Sequence, residues 1–296
     1  MTAYVLAHLS DPHLPPLPAA RLHELIGKRT LGYLNWRRNR HRIHRRELLD
    51  ALVADLHAQE PDHIAITGDL VNLALPAEFA PAHRWLQHVG PPERVTIVPG
   101  NHDAYVRSTR HRFAEVFSDY LRGDDAVVGF PFVQRRGPLT LIATSTAVPT
   151  APLMATGRLG QAQLAALARI LASTSSEPTF RVLLIHHPLR AEHHGRFKRL
   201  TDAAPLLALL RQYGVDLVLH GHDHLHSTMW FDGPHGRRIP VIGITSASAV
   251  PHGHHPAAAY NLFAIARDGA HWRCEQQVRG WIESKGFCDI RRVRLT

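Results

Sequence analysis

Apolar positions along the chain fall into two alternating kinds of segment. Short, nearly continuous apolar runs bounded by glycine, proline or polar clusters read as buried strands at residues 4–9, 63–67, 94–98, 139–144, 180–185, 215–219, 239–244 and 260–266. Between them lie stretches whose apolar residues recur every three or four positions. The clearest is 43–57, where Leu48, Leu49, Leu52, Val53 and Leu56 share one helical face. The same spacing predicts helices over 82–89, 109–117, 161–172 and 203–213, the last stopped by Gly214. Strands alternating with helices make this an α/β protein. With no internal repeat and no linker-like stretch, a single domain is expected.

One segment departs from that rhythm. Residues 14–46 open with Pro15, Pro16 and Pro18, place Leu22, Leu25 and Ile26 at helical spacing, and continue through Leu31, Tyr33, Leu34 and Trp36. They end in Arg37, Arg38, Arg40, Arg42, Arg45 and Arg46. The segment reads as a basic and apolar insertion into the domain.

Composition narrows the class. With 296 residues, 45% hydrophobic and 20% charged, the chain is globular rather than disordered. No apolar run approaches the roughly 20 residues of a membrane span. The first residues lack a basic leader and pass straight into a strand, so a cytoplasmic protein is expected. Cys274 and Cys288 fit no metal-binding spacing and are expected to be reduced thiols. A net charge of +9 and a pI near 10.2 favour anionic partners without choosing among nucleic acid, lipid headgroups and phosphorylated small molecules. The 24 histidines, several in tight clusters, point to metal.

The polar residues that matter stand where strands end. Asp11-Pro12-His13, Gly68-Asp69, Gly100-Asn101-His102-Asp103, His186-His187 and Gly221-His222-Asp223-His224 each follow a predicted strand. Ligands gather beyond the carboxyl ends of strands in open α/β sheets, so five such ends are placed to converge. Glycines 68, 100 and 221 permit tight turns and close backbone approach. Carboxylate, imidazole and amide donors form mixed O/N shells that favour Mn, Fe or Zn over Ca or Mg. Seven potential ligands, Asp11, His13, Asp69, Asn101, His186, His222 and His224, exceed the need of one ion. They suffice for two if a carboxylate bridges. Two such ions clamp an in-line displacement at phosphorus, and a water between them becomes a nucleophile near neutral pH. Singly, each motif is an ordinary turn; together, at strand ends, they are not.

In order and type these motifs resemble the calcineurin-like metallophosphoesterase superfamily, over residues 4–266. The resemblance implies a four-layer α/β/β/α sandwich with two facing mixed β-sheets. It implies one metal on Asp11, His13, Asp69 and His224 and a second on Asp69, Asn101, His186 and His222, with Asp69 shared. It implies that His102 contacts the phosphate and protonates the leaving oxygen, oriented by Asp103. His187, His8 and His220 are expected to pack or to support ligands rather than to bind metal.

The substrate is less constrained. The motifs resemble bacterial cyclic-nucleotide phosphodiesterases, whereas segment 14–46 is similar in character to that of the UDP-2,3-diacylglucosamine pyrophosphatases, which act on a lipid-linked nucleotide at the membrane. On that comparison Arg37 and Arg38 are candidate substrate contacts, and the segment is a candidate for peripheral contact with the inner membrane surface. Arg107 and His194 are further candidates for binding a small anionic phosphate ester. His193-His194 and His252, His254 and His255 lie in loops that are candidates for the rim. A nuclease of the same superfamily and a non-catalytic scaffold are the alternatives. No second nucleic-acid-binding domain supports the first, and the complete ligand set opposes the second.

Overall fold

The computed structural model describes residues 3–109, 111–125, 129–190, 197–269 and 271–296. Its first strands are β1 (Tyr4–Leu9), β2 (His63–Ile66), β3 (Val95–Ile97), β4 (Phe132–Arg136), β5 (Leu139–Ala143) and β6 (Phe180–Leu184). The rest are β7 (Leu217–His220), β8 (Ser227–Asp232), β9 (Arg238–Gly243), β10 (Ala259–Asp268), β11 (His271–Ile282) and β12 (Gly286–Arg294). They form two mixed six-stranded sheets, ordered β12-β11-β10-β1-β2-β3 and β4-β5-β6-β7-β9-β8. In the first, β1, β2 and β3 run parallel and β10 to β12 form antiparallel neighbours. In the second, β5, β6, β7 and β9 run parallel, and β4 and β8 are antiparallel edges.

Side-chain alternation along the second sheet builds the layers. Leu139, Leu141, Val182, Leu184, Leu217 and Leu219 enter the core shared with the first sheet. Their neighbours Ile142, Leu183, Ile185 and Val218 point outward and pack with Leu167, Leu171, Leu206 and Leu210. Those four come from the helices at Gln161–Thr174 and Ala203–Tyr213. On the first sheet's side, the helices at Arg46–Ala58 and Pro76–Val89 contribute Leu49, Leu52, Leu56, Phe79 and Leu86 to the main core. The result is the expected α/β/β/α sandwich.

Four strands, β4, β8, β11 and β12, were not expected from the sequence. On β11 the buried positions Cys274, Gln276, Val278 and Gly280 do alternate, but a glutamine and a glycine among them hide the apolar period. β12 is an edge strand of mostly exposed charge. The helix expected over 82–89 starts six residues earlier. Pro76 occupies its first turn, and buried Glu78 accepts the backbone N–H groups of Asn72, Leu73 and Leu75 at 2.6–3.0 Å. The helix expected from 43 starts at Arg46, because His44 is extended and bridges to Ala249.

A polar chain crosses between the sheets. His63 on β2 donates from Nε2 to Thr96 Oγ1 at 2.7 Å, Thr96 donates to Gln134 Oε1, and Gln134 donates to the Arg122 carbonyl at 2.8 Å. Burial, aided by Arg136 and Arg94, lowers the His63 imidazole from 6.5 to about 3. Between those values the unfolded chain binds a proton that the folded chain refuses. His63 therefore supports the fold fully above about pH 6.5, and its contribution is lost as pH falls towards 3. His63→Gln, which keeps a donor to Thr96, is expected to flatten the decline in urea midpoint between pH 7 and 5. An unchanged slope would contradict this assignment.

Candidate metal centre

The loops after β1, β2, β3, β6 and β7 meet at one end of the sandwich. Backbone bonds fasten the first two together: Asp11 N–H to Gly68 O at 3.0 Å and His13 N–H to Asp69 O at 2.9 Å. The Asp11 carboxylate reaches the loop from β7, accepting the His222 N–H at 3.0 Å. Glycine at 68 is required twice over. Its φ is +99°, and a Cβ would come within 2.6 Å of Gly100 N and 2.7 Å of His186 Nδ1. A Cβ at 221 would run into the side chains of Ser10 and Asp11.

Five of the seven candidate ligands sit in the left-handed region, with φ of 52° at Asp11, 38° at His13, 57° at Asp69, 71° at His222 and 54° at His224. That conformation costs of order 1–3 kcal/mol per non-glycine residue and is held by the surrounding structure where function needs it.

The seven side chains fall into two nests. In the first, His224 Nε2 lies 3.2 Å from Asp11 Oδ1 and 3.2 Å from His13 Nε2. In the second, Asn101 Oδ1 lies 3.1 Å from His186 Nε2 and 2.9 Å from His222 Nδ1. Asp69 Oδ2 stands between them, 3.6 Å from His13 Nε2 and 3.5 Å from His186 Nε2. Ring protons are already committed elsewhere. His13 Nδ1 donates to Val71 O at 3.2 Å and His186 Nδ1 to Thr67 O at 2.6 Å, so both Nε2 lone pairs face the nests. Burial holds His13 and His222 well below their ordinary value, in the neutral form that binds metal. Burial opposes charge on both carboxyls. His224 nevertheless keeps Asp11 low, while the Asp11 charge adds to burial in pushing Asp69 up. Two adjacent buried carboxylates amid neutral imidazole lone pairs fit divalent cations.

His102 stands beside the first nest, its ring 4.7 Å from that of His13, and its N–H donates to Asp69 Oδ1 at 2.7 Å. The expected contact from Asp103 to this ring is not present among the described residues. Asp103 is fully buried and accepts the N–H groups of Asp69 and Gly100 at 2.8 Å and of Val71 at 3.1 Å. It braces the two ligand loops, and Nδ1 of His102 pairs instead with the Asn72 carbonyl.

A cavity of about 240 Å³ opens over the nests, lined in part by His13, Asp69, Asn101, His102, His222 and His224. Arg40 also lines it, from a π-helical turn at Trp36–Arg40, with Nη1 3.0 Å from His102 Nε2. Sequence reasoning chose Arg37 and Arg38 instead; both are exposed and neither lines the cavity. Arg107 is likewise exposed, on a 3₁₀ turn outside the lining. His193 and His194 lie outside the described residues. His44, four residues after Arg40 and on the same helical side, was also missed; its ring is 4.7 Å from that of His13. Among the other histidines, His187 turns to Thr146 Oγ1 and the Ala155 carbonyl, His8 to Thr67 and Asn261, and His220 to Gly221 and Ser227. His255 reaches the lining, with the rings of His252 and His254 4.9 and 4.1 Å from its own.

A model of the calcineurin-like phosphoesterase family matches residues 4–226, a span that contains all seven candidate ligands. A dimetal phosphatase from Danio rerio is similar over 100% of this chain and 99% of its own, with a TM-score of 0.59 at 13% identity. The purple acid phosphatase PPD1 from yellow lupin (Lupinus luteus) seeds is similar over 97% of this chain and 53% of its own, with a TM-score of 0.59 at 15% identity. Purple acid phosphatase 17 of Arabidopsis thaliana is 41% identical over 51 residues, 17% of this chain and 14% of that relative. This chain thus matches about half of the lupin protein and a small part of the Arabidopsis one.

Proposed function

The chain belongs to the calcineurin-like phosphoesterase family, and we propose that it hydrolyses a phosphodiester or diphosphate at two divalent metal ions. Asp11, His13 and His224 would hold one ion, Asn101, His186 and His222 the other, and Asp69 would bridge them. The observation that carries this reading is the position of Asp69 Oδ2, nearly equidistant from an imidazole of each nest. Mn, Fe and Zn all suit the donor set. When bound, the ions would polarise the phosphoryl group and lower the pKa of an attacking water. The protein's own part is to orient the ester and to deliver a proton. His102 is the candidate acid, with Asn72 fixing its ring. Burial and the Arg40 guanidinium hold that ring neutral, and its Nε2 accepts from Arg40, so Nε2 would have to be released from Arg40 and gain a proton before delivering one.

Exposed apolar groups on segments that adjoin the lining residues Asn35, Ala155 and Lys198 support an amphiphilic substrate over a cyclic nucleotide. Leu22, Ile26 and Leu153 are 89, 75 and 85% exposed, and Leu31, Leu34 and Phe197 are also exposed. Lys28 ties these segments together, donating to Thr150 Oγ1 at 2.6 Å and the Met154 carbonyl at 2.9 Å. Exposed apolar groups beside Arg37, Arg38 and Lys198 suit an acyl chain and an anionic membrane surface. No helix among the described residues is long and apolar enough to cross a membrane, and the contact proposed is a peripheral one through these exposed groups.

Stripping metal with a chelator is expected to abolish hydrolysis of bis(p-nitrophenyl) phosphate, and Mn²⁺ is expected to restore it at two ions per chain. Turnover that survives metal removal would sink the two-metal reading. Metal-loaded protein inert towards diesters, diphosphates and nucleic acid alike would favour a scaffold. With Mn²⁺ present, cleavage of UDP-2,3-diacylglucosamine but not 3′,5′-cyclic AMP supports the amphiphilic substrate, and the converse overturns it.

A further inference from the structure

Two cations near the candidate metal centre, Arg40 in the cavity wall and Lys28 behind Tyr105, make no salt bridge to a carboxylate among the described residues. Arg40 offers Nη1 to His102 at 3.0 Å and Nη2 to His44 at 3.5 Å, both imidazoles. Lys28 Nζ donates to a hydroxyl and a carbonyl and rests 4.5 Å above the ring of Tyr105, which stacks on His102 at 5.2 Å. Two other arginines drawn in from solvent are neutralised or capped. Arg279 pairs with Asp55 at 2.6 Å and Asp289 at 2.8 Å, and Arg29 spends its guanidinium on the carbonyls of Glu24, Leu73 and Ala74. The half-buried Arg40 guanidinium hydrogen-bonds to imidazoles and feels the Asp69 and Asp11 carboxyls without a salt bridge to either, so it keeps donors for an arriving anion. Both cations come from the 14–46 segment, and both approach His102, Arg40 directly and Lys28 through Tyr105.

We propose that Arg40 and Lys28 clamp a second phosphate of the substrate, the one that leaves, so that the preferred substrate is a diphosphate. The inference rests on the phosphoesterase reading above. Hydrolysis would form a bond from water oxygen to the scissile phosphorus, release one proton of that water to solvent, and break the bridging P–O bond. The bridging oxygen would depart with its electron pair on the second phosphate, whose charge the clamp offsets. Bonds from the guanidinium to an anionic phosphate are stronger than its contact with an uncharged imidazole, so the entering substrate draws Arg40 off the ring.

The test compares kcat/KM for UDP-N-acetylglucosamine, a diphosphate, with that for bis(p-nitrophenyl) phosphate, whose leaving group carries no phosphate. Wild type, Arg40→Gln, Arg40→Lys and Lys28→Met are assayed with Mn²⁺. The diphosphate-to-diester ratio is expected to fall about 10- to 100-fold in Arg40→Gln, chiefly through KM, and less in Lys28→Met. Arg40→Lys is expected to recover most of the loss. A ratio unchanged in Arg40→Gln overturns the clamp, as does a wild type that cleaves the diester but not the diphosphate. A metal-loaded wild type that turns over neither probe overturns the phosphoesterase reading and the clamp with it.

Discussion

Asp69→Asn is expected to cost at least about 10³-fold in kcat on any phosphate ester the protein hydrolyses, because several kcal/mol of transition-state stabilisation would come from the two ions that Asp69 is proposed to bridge. Asparagine is the informative replacement. It tolerates the left-handed φ of 57° at this position, and its amide oxygen still accepts the His102 N–H. What it removes is the negative charge between His13 and His186. Manganese bound per chain, measured by elemental analysis, should fall below two. Metal-free protein should respond in the opposite sense. There Asp11 and Asp69 are two carboxyls buried side by side, and removing one relieves that burden. Metal-free Asp69→Asn should therefore melt a few degrees above metal-free wild type, while losing the stabilisation that Mn²⁺ confers on wild type. Full activity with two ions bound would refute the bridging role.

That opposition between stability and function explains why so much of the site was legible in the sequence. Strand periodicity is a local signal, and each parallel strand ends in residues that a core would not tolerate without a ligand. Asp11, Asp69, Asn101, His186 and His222 could be placed together from order alone, because parallel neighbours point their carboxyl ends the same way. The conformations that aim them were not legible. Nothing in the letters of Asp11, His13 or His224 announces a positive φ. Asp103 was misplaced for a related reason. Adjacent to His102 in sequence, it is turned beneath the loop to bind three backbone N–H groups.

The basic segment shows another limit. Six arginines between 37 and 46 look alike in sequence, and aromatic neighbours drew attention to Arg37 and Arg38. The choice belongs to the helix axis. Arg40 and His44, four residues apart, face the cavity while Arg37 and Arg38 face solvent. Only packing fixes that rotation. Arg29 is buried against the carbonyls of Leu73 and Ala74, and Trp36 packs on the main core. The extra strands β11 and β12 were hidden by the same dependence on context, since Gln276 is buried by its bond to Asn261 rather than by hydrophobicity.

His102→Ala is expected to separate chemistry from metal binding. The ring lies within ligating reach of His13 and Asp69, but its hydrogen bonds among the described residues go to Arg40 and Asn72 and to none of the seven candidate ligands, and the backbone N–H that braces Asp69 survives in alanine. Bound metal should remain at the wild-type level. Loss of a general acid is worth about 10²–10⁴-fold where the leaving oxygen is strongly basic, and much less where it departs readily as an anion. The variant should therefore lose about 10²–10⁴-fold on a diester with an alkyl leaving group and under about 10-fold on bis(p-nitrophenyl) phosphate. A plot of log kcat against leaving-group pKa should be steeper than for wild type. Parallel slopes with a uniform loss would instead make His102 a phosphate-binding group, its proton irrelevant to departure. Arg40 gives the outcome a second meaning: with the ring gone the guanidinium loses a neutral partner and keeps its demand for an anion, so KM for a diphosphate should rise less than kcat falls.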